Sequence, residues 1–540
     1  MKKKFLVCVF GFQFFLLTAL IAVAPGVQTL VPADSWVYDA FADLYIESGK
    51  VAFTGNPPLS IAELKLYLRE IDYDSLSNAG RAIYNQINSY FNQQMPGFQS
   101  GLLSAGAQLQ VALEGYVKSN SSMPWNYAYQ KRPAFFNAPM GFSVGDYLTL
   151  HMDLALKQNV ETMLSSDTFC NIPLSADQFS LEFPQWTYGN LGVMLGEATG
   201  INLKVARGPQ YIGRTLTGSI IISEYSSSET WVEATVFSPK FKFALNVTEL
   251  NPSSKQNPDP AYFYHHRLEF RLFDKLTFTL MEGALVNAPF ELRFLNPLMI
   301  FHGYASWRDY YGTGSNGEEE SQKEASLLGI VLDFVPCSGV RLYGLFAMNQ
   351  FQTSYERKNW PDSAIPNALA FQGGTELNFA VGNGYFQGGI EGVYTTPYMY
   401  ILEGKDWSYV RDYDESIGMD GVRQWVGTPF GPDTIAAAIK FGYKVPSLWS
   451  ASCMYTFALQ GAMANYGVLD TDYWPSNAEE ASVKTPSKNA TYTNTVSVCA
   501  TFSPVEWIQL EIRPSCSIRQ QQDKVDTSFQ FSMGCKIDIL

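Results

Sequence analysis

Two polar loops of this chain combine aromatic rings with carboxylates, a combination that suits the binding of sugars. Sugar rings present apolar C–H faces and many hydroxyl groups, so a site for them needs aromatic platforms beside groups that accept hydrogen bonds. The loops are 398–432 and 463–489, and the glycan-binding candidates are Trp407, Tyr409, Asp412, Asp414, Trp425, Asp472, Tyr473 and Trp474. Such rings are equally typical of aromatic girdles at the membrane interfaces and of loops packed on themselves, and both interpretations stay open.

A second polar set lies in a stretch where charged and apolar residues alternate. Arg267, Glu269 and Arg271 share one face of a strand, opposite Leu268 and Phe270. A charge facing lipid at mid-membrane would cost about 2–4 kcal/mol, so in a membrane barrel these side chains are expected to point into the lumen. The predicted lumen polar network is His151, Arg267, Glu269, Arg271, Glu282, Arg293 and Asn296, with His266 expected on the same side. The network either fixes the wall to a plug through ion pairs or lines a path for solutes.

Catalysis is disfavoured by the residues available. A hydrolase needs a nucleophile beside a histidine that a third group orients, and the sequence does not pair any of its four histidines with a serine in space. With so few histidines and no CxxC pair, we also predict no metal site. The expected protein is not an enzyme and carries no cofactor.

The elements that position these residues follow a regular rhythm in the second half of the chain. Short turns alternate with longer polar connections, and most turns carry the Gly, Pro or Asn that a tight reversal requires. The predicted turns are Ser238-Pro239-Lys240, Phe273-Asp274-Lys275, Pro336-Cys337-Ser338-Gly339, Gly382-Asn383-Gly384, Val445-Pro446-Ser447 and Ser503-Pro504-Val505. The longer connections are 251–262, 285–325, 351–366, 398–432, 463–489 and a brief 521–526. Outer-membrane barrels have this asymmetry, with short periplasmic turns and long external loops.

The segments between the turns are predicted to be strands with one apolar face. The clearest examples are Tyr147 to Lys157, Gln108 to Lys118 and Ser528 to Ile539, in each of which apolar residues fall at alternate positions. Each is close to the roughly 9–11 residues that cross a membrane obliquely. Since hydrocarbon offers no partner for backbone amides, such strands must close on themselves. We therefore predict an all-β membrane protein, a closed antiparallel transmembrane β-barrel of about 18 strands.

Composition favours the same class of protein. Charged residues make up 16% of the chain, against about 25% in typical soluble domains. Aromatic residues reach 15%, and girdles at the two membrane interfaces would account for many of them. The formal net charge is −14, so nucleic acid is an unsuitable partner. We expect lipid of the outer membrane to surround the barrel.

The first residues predict export. Lys2 to Lys4 precede the apolar run Phe5 to Ala22, and small residues follow, which is the pattern of a secretory signal peptide. We place this segment at 1–26. Six cysteines remain beyond it, and packing inside the fold is their expected role.

A small helical domain, predicted at 27–100, precedes the barrel, predicted at 101–540. Ser35 can cap a helix that begins near Trp36, Ser60 and Glu63 form a capping box for a second, and a third is predicted from about 77 to 91. Residues 96–104 are expected to link this domain to the first strand. If the short turns are periplasmic, the domain is periplasmic too.

A barrel this wide keeps an aqueous lumen unless loops fill it. The connection 285–325 is the predicted plug because it is long and mixed in polarity. Its polar and aromatic members are Arg293, Asn296, His302, Trp307 and Arg308.

Several stretches resemble the capsule assembly Wzi family. They are His265-His266-Arg267-Leu268-Glu269-Phe270-Arg271, then Leu276-Thr277-Phe278, Glu282 and Leu295-Asn296-Pro297-Leu298, with Ala206-Arg207-Gly208, Gly213-Arg214 and Ile222-Ser223 similar to a second part of the pattern. The N-terminal segments Val31 to Ala40 and Leu59 to Leu64 are similar to the helical leader of that family and, more loosely, to an S-layer homology module. The resemblance implies a large outer-membrane barrel that holds capsular or related polysaccharide at the cell surface and acts as a lectin.

Two functions of different kinds follow. The chain is either a barrel that binds or organises surface polysaccharide, or a diffusion channel for small solutes. A third hypothesis is a structural or adhesive surface protein. Protein partners are not identified by the sequence.

Overall fold

Eighteen long strands in the described part of the chain close into one antiparallel barrel. The computed structural model describes residues 21–175, 179–180, 186–225, 229–251, 260–301, 324–359, 365–404, 408–412 and 423–539. The first barrel strand pairs with the last, from Leu109 opposite Ile539 to Lys118 opposite Gln530. Closure pairs the strand amides that an open sheet edge would expose to lipid. The predicted fold class is confirmed.

The strands are numbered here in chain order. They are β1 (Leu109–Lys118), β2 (Phe136–Val144), β3 (Leu148–Gln158), β4 (Thr187–Leu195), β5 (Thr199–Gly208), β6 (Glu229–Phe237), β7 (Phe241–Asn251), β8 (Ala261–Leu272), β9 (Leu276–Asn287), β10 (Glu324–Cys337), β11 (Val340–Gln350), β12 (Ala368–Val381), β13 (Gly384–Thr395), β14 (Thr434–Val445), β15 (Trp449–Gln460), β16 (Thr491–Val505), β17 (Ile508–Gln521) and β18 (Lys524–Ile539).

Short turns gather at one end of the barrel, the short-turn end, and the longer connections gather at the other, the long-loop end. The turns at 238–240, 273–275, 338–339, 382–383 and 446–448 lie within a residue or two of their predicted positions. The prediction of a turn at Ser503-Pro504-Val505 is wrong, because β16 continues through these residues and reverses at 506–507 instead. A register irregularity between Phe502 and Val505 lets the strand accommodate Pro504.

The strands present an apolar face to the outside. In β5, Ile201, Leu203 and Val205 are exposed, whereas the alternate residues Asn202 and Lys204 are buried inside. The same alternation holds in the three strands chosen from the sequence, with Leu113, Leu150 and Phe529 exposed as examples. Outward apolar side chains and an inward polar face are what a barrel in lipid requires.

The approach to β1 differs from its prediction. Residues 96–104 are not a plain link, since Met95–Ser100 and Leu103–Ala107 form a hairpin whose second arm pairs with β2. The wall at this point is therefore completed by chain that precedes the first long strand.

Three helices form the helical domain, defined here as residues 30–92. They are α1 (Trp36–Ser48), α2 (Ile61–Leu68) and α3 (Asn78–Phe91). The caps of the first two are the predicted Ser35 and Ser60, and Ser77 caps the third; each of these serine side chains accepts a hydrogen bond from a backbone N–H of the first turn. One apolar core joins the helices, with Phe41, Leu64 and Ile83 among its fully buried members. The shorter helices α4 (Val160–Ser165) and α5 (Ser354–Asn359) lie in connections at the long-loop end.

Two further observations concern the described part of the chain. None of its helices has the length and apolarity of a membrane span. Cys170, Cys337, Cys453, Cys499, Cys516 and Cys535 are all free thiols, and Cys337 and Cys516 are exposed, so the expected role of packing inside the fold does not hold for these two.

The outward position of Leu203 allows a direct test of the membrane orientation. Leu203→Arg places a charge at the middle of the lipid face of β5 and is expected to cost about 2–4 kcal/mol of stability. Thr199→Arg, on the same face beside the short turn, should cost about 0–1 kcal/mol. The measurement is urea unfolding of the protein in lipid vesicles. Equal losses in the two variants would mean that this face does not contact hydrocarbon.

Candidate functional site

The helical domain lies inside the bore at the short-turn end. Its α1 ends against the turn between β10 and β11, where the Gly339 N–H donates to the Ile46 carbonyl at 2.9 Å and the Ser338 hydroxyl donates to the Glu47 carbonyl. The Val51 N–H donates to the Asp274 carbonyl of another turn at 2.9 Å. Barrel turns therefore satisfy carbonyls at the end of the helix that would otherwise lack a partner.

A buried ion pair fixes the domain to the wall. Lys242 of β7 donates to Glu63 of α2 at 2.6 Å, and both side chains are fully buried. The capping box is thus only half formed: the Glu63 N–H binds Ser60 as predicted, while the carboxylate turns to Lys242 and to the Tyr67 hydroxyl. The sequence pattern identified the cap and missed the long-range partner.

The predicted charges of β8 belong to the same attachment. Arg267 donates to Glu269 at 2.7 Å, and Glu269 in turn accepts from Asn56 of the helical domain at 2.8 Å. Arg271 binds Glu70, also of the helical domain, at 2.9 Å. Neighbouring strands add Lys204 and Glu233, paired at 2.8 Å. All three predicted side chains of β8 point inward, and their contacts match the interpretation as an ion-pair network that fixes the wall to a plug.

A second filling element is the inner loop, residues 209–225, which folds into the bore above the helical domain. The Gly213 N–H donates to the Gly55 carbonyl at 3.0 Å, and Arg214 binds Asp39 at 3.1 Å. On the wall side, Glu391 of β13 accepts from the backbone N–H groups of Leu216 and Thr217. Sequence patterning left this region unassigned because its apolar residues follow no regular period.

The outer loop, the described residues of 396–433, closes over the inner loop. Tyr400 donates to the Ile220 carbonyl at 2.6 Å, and Tyr409 donates to the Ala325 carbonyl at 2.7 Å. Trp425 stacks on Tyr466 with ring centroids 4.9 Å apart. These rings are buried in one core with residues of the inner loop, so Tyr409 and Trp425 are not placed to stack on a sugar outside the barrel.

The other glycan-binding candidates are spread over the long-loop end. Asp472 is exposed, whereas Tyr473 donates to the Leu402 carbonyl at 2.7 Å and Trp474 packs edge to face on Tyr398 at 5.9 Å. The backbone of Asp412 pairs with Arg423. Trp407 and Asp414 lie outside the described residues. The structure thus does not gather the described candidates into one open surface.

Two members of the predicted lumen network face the opposite way. His266 and Glu282 stand opposite each other on β8 and β9, and both are on the outer face, with His266 Nε2 3.4 Å from Glu282. The prediction that Glu282 and His266 face the lumen is wrong. Arg267 and Met281 point inward, and because successive side chains of a strand point to opposite faces, their neighbours His266 and Glu282 point outward. An ion pair on this face needs cover from lipid.

The cover is an outer flap, residues 288–301. Phe301 stacks on His266 at 5.1 Å and Phe294 stacks on Tyr264 at 4.8 Å, both against the outside of the wall. The prediction that Arg293 and Asn296 line the lumen is wrong: Arg293 pairs with Glu291 within the flap, and Asn296 accepts from the Leu298 N–H at 3.1 Å. The described part of 285–325 is therefore not a plug. His302, Trp307 and Arg308 lie outside the described residues.

Part of the bore beside the helical domain remains unfilled. A cavity of about 1460 Å³ separates the helical domain from the strands β14 to β18 and β1 to β3, and its lining extends to the short turn at 446–448. His151 lies in this cavity, as predicted for the lumen, and binds Asp153 at 2.8 Å while stacking on Tyr188 at 5.1 Å.

Ser143 also lines the cavity and lies in a G-x-S-x-G spacing, Gly141 to Gly145, that the sequence reasoning missed. Serine hydrolases place this motif on a sharp turn from a strand into a helix. Here it lies in β2 and leads through a β-turn into β3, and Ser143 Oγ is 3.2 Å from Thr149 Oγ1. The motif therefore does not form a nucleophile elbow.

The helical domain presents Asp34, Trp36 and Tyr90 to this cavity. Burial inside the bore raises the pKa of the Asp34 carboxyl, with its backbone hydrogen bond acting in the opposite direction. Burial likewise raises the pKa of Tyr90 to about 12, so its phenol is a neutral hydrogen-bonding group at physiological pH. Trp36 is 38% exposed and meets Tyr90 edge to face at 5.8 Å.

The fold of this chain has a solved counterpart. No protein-family description matches the chain, and no curated protein sequence does. The structure is similar to that of Wzi from Escherichia coli, an outer membrane protein involved in group 1 capsule assembly and described as a carbohydrate-binding β-barrel. The TM-score is 0.60 at 15% identity over 94% of this chain and 99% of that one. The chain has the Wzi fold.

The resemblance seen in the sequence is thus confirmed at the level of the fold, and the likeness of the leader to an S-layer homology module stays a prediction. Two other barrels are similar at lower scores. They are OprD from Pseudomonas aeruginosa, 9% identical over 81% of this chain and 95% of that one with a TM-score of 0.40, and the channel DcaP from Acinetobacter baumannii, 10% identical over 82% and 99% with a TM-score of 0.35.

The buried pair between wall and helical domain can be tested by substitution. Lys242→Met leaves the Glu63 carboxylate buried without its cation and is expected to destabilise the docked domain by about 3–5 kcal/mol. Thermal loss of helical circular dichroism in detergent measures the effect. The double variant Lys242→Met/Glu63→Gln removes both charges and should recover most of the loss.

Lys240→Met is the matched control, since Lys240 is an exposed lysine two residues away. It should leave the helical transition unchanged. If Lys242→Met behaves like Lys240→Met, the pair does not hold the domain in the bore.

Proposed function

We propose that this protein is an outer-membrane barrel that binds or organises surface polysaccharide of the capsular type without catalysing a reaction. The carrying observation is the series of segments that occupies the bore beside the cavity. An open porin needs a continuous aqueous path, whereas here the helical domain, the inner loop and the outer loop follow one another along the axis and contact each other through Gly55 to Gly213 and Ile220 to Tyr400.

The similarity to Wzi supports the choice of ligand. That protein is described as binding carbohydrate and as taking part in capsule assembly. A shared fold extending over nearly the whole of both chains makes a polymer of sugars the first ligand to test. Polar residues in both the cavity and the long loops supply the hydrogen bonds that sugars need.

The proposed orientation follows from the loops. The predicted signal peptide exports the chain, the short turns and the helical domain then face the periplasm, and the long loops face the medium. In this arrangement the helical domain faces polysaccharide that arrives from the periplasm, while the outer loop faces polysaccharide on the cell surface.

A diffusion channel is the second candidate, and the cavity favours it. A space of about 1460 Å³ beside the helical domain reaches the short-turn end, and a small solute could use such a space if the long-loop end opened. Segment 119–135 belongs to the long-loop end and lies on the cavity side of the bore. There the guanidinium of Arg513 is 4.4 Å from the ring centroid of Tyr127.

Conductance and glycan retention together separate the two functions. In a planar bilayer, the protein should pass little ion current, because the segments in the bore exclude a continuous water path. The same preparation should retain capsular-type polysaccharide on a coated surface, and cells lacking the protein should hold less surface glycan.

The variant Lys242→Met serves as the positive control for current, since loosening the helical domain should raise the conductance. A porin-like current through the unaltered protein, combined with no retained glycan, would establish the channel instead.

A further inference from the structure

We propose that the cavity beside the helical domain is a binding site for a short run of neutral pyranose units, with Trp36 and Tyr90 as its aromatic platform. This inference rests on the proposed function and locates the ligand inside the barrel rather than on the long loops. The cavity, of about 1460 Å³, exceeds the roughly 300–1,000 Å³ of pockets that hold drug-sized ligands. It therefore has room for several sugar rings.

The aromatic pair lies on the cavity side of its domain. The rings of Phe41, Tyr38 and Phe91 are buried in the core of the domain, whereas Trp36 is 38% exposed toward the cavity; Tyr73 is exposed to a similar extent but does not line the cavity. A tryptophan that is left partly open costs hydrophobic stabilisation unless it has a ligand to cover. The apolar face of a sugar ring is such a cover.

Hydrogen-bonding groups surround the platform. One face of α3 contributes Asn85, Gln86 and Ser89, and Asp34 lies beside the start of α1. The facing wall contributes amides and hydroxyls from β1, β2, β15 and β16, namely Gln110, Asn137, Ser143, Ser450, Ser452 and Thr501. A pyranose has apolar C–H faces and hydroxyl groups around its edge. The C–H face suits the aromatic platform, and the hydroxyl groups suit the surrounding amides, hydroxyls and carboxylates.

The charges in the lining favour a neutral sugar. Eight carboxylates and five cationic side chains line the cavity, so an acidic sugar would enter against net negative charge. Four of the cations already hold partners: Arg214 with Glu376, Lys444 with Asp43 at 3.0 Å, Arg513 with Glu511 and Lys536 with Asp538 at 3.7 Å. The two less exposed pairs are Arg214 with Glu376 and Lys444 with Asp43, and breaking either of them to bind a carboxylated sugar would leave a largely buried carboxylate without its cation.

Two sources could present this chemistry at the short-turn end. One is the neutral part of an exported surface polysaccharide, and the other is the N-acetylglucosamine units of a glycan strand of the cell wall. Residues 23–25 also line the cavity and belong to the predicted signal segment, so cleavage of that segment would enlarge the cavity.

A native thiol reports on occupancy. Cys499 of β16 lines the cavity, whereas Cys337, which is exposed at the turn after β10, does not. Two variants, each with one of these thiols and serine at the other cysteines, are treated with a small water-soluble methanethiosulfonate. A panel of neutral pentasaccharides of glucose, galactose, mannose and N-acetylglucosamine is the probe, with oligogalacturonate as the acidic comparison and muramyl glycan fragments as the cell-wall source. At least one neutral sugar should slow the labelling of Cys499 severalfold and leave Cys337 unchanged.

The platform is tested by Trp36→Ala. The expected result is about two- to tenfold weaker binding of the protecting sugar by calorimetry, which corresponds to the ~0.5–1.5 kcal/mol of one aromatic contact. Trp507→Ala is the matched control, because Trp507 is 54% exposed at the same end of the barrel and lies outside the cavity lining. Unchanged helical circular dichroism in Trp36→Ala shows that the domain is still folded.

The outcomes separate the two proposals. Glycan binding without protection of Cys499, or with equal affinity in Trp36→Ala, overturns the interior site and leaves the proposed function standing. Protection by oligogalacturonate but by no neutral sugar overturns the charge argument and with it the inference. Retention of no glycan of any kind overturns the proposed function itself. Muramyl fragments carry a lactyl carboxylate, so protection by these fragments alone also overturns the inference of a neutral sugar. Protection by the N-acetylglucosamine pentasaccharide together with muramyl fragments, and by no other sugar, assigns the site to the cell-wall source.

Discussion

Hydrocarbon cannot hydrogen-bond a peptide group, and this constraint governs the whole molecule. Every strand must pair on both sides, so the sheet closes between β1 and β18. Closure of eighteen strands produces a bore too wide for wall side chains to fill. The helical domain, the inner loop and the outer loop occupy part of that bore.

The bore is filled unevenly. On one side the wall presents Lys204, Lys242, Arg267 and Arg271, and each binds a carboxylate of the wall or of the helical domain. On the other side, from β14 round to β3, the inward residues are largely amides, hydroxyls and ion pairs that face water. Charged anchors hold the domain against one half of the wall, and the other half is left as a polar chamber. A plug that simply sealed the barrel would not require this asymmetry.

The apolar outer surface is interrupted at His266 and Glu282, and the fold covers this pair. His266 and Glu282 face outward beneath the flap that carries Asn296, Pro297 and Leu298. Two stretches that carry the resemblance to the Wzi family, one in β8 and one after β9, thus meet on the outside of the barrel. Their spacing in the sequence is explained by a hairpin followed by a segment that folds back over it.

Local patterns determined much of this protein from the sequence alone. The period of two specified the strands and their lipid face, turn residues specified most reversals, and serine caps specified three helices, because each depends on residues close together in the chain. Tertiary structure alone decided where these parts go. The partner of Glu63 is 179 residues away, the inner loop has no regular period, and Tyr409 and Trp425 turn inward because the bore needs filling. Sequence spacing contains no information about such contacts, so the chamber beside Trp36 became visible only once the wall had closed around it.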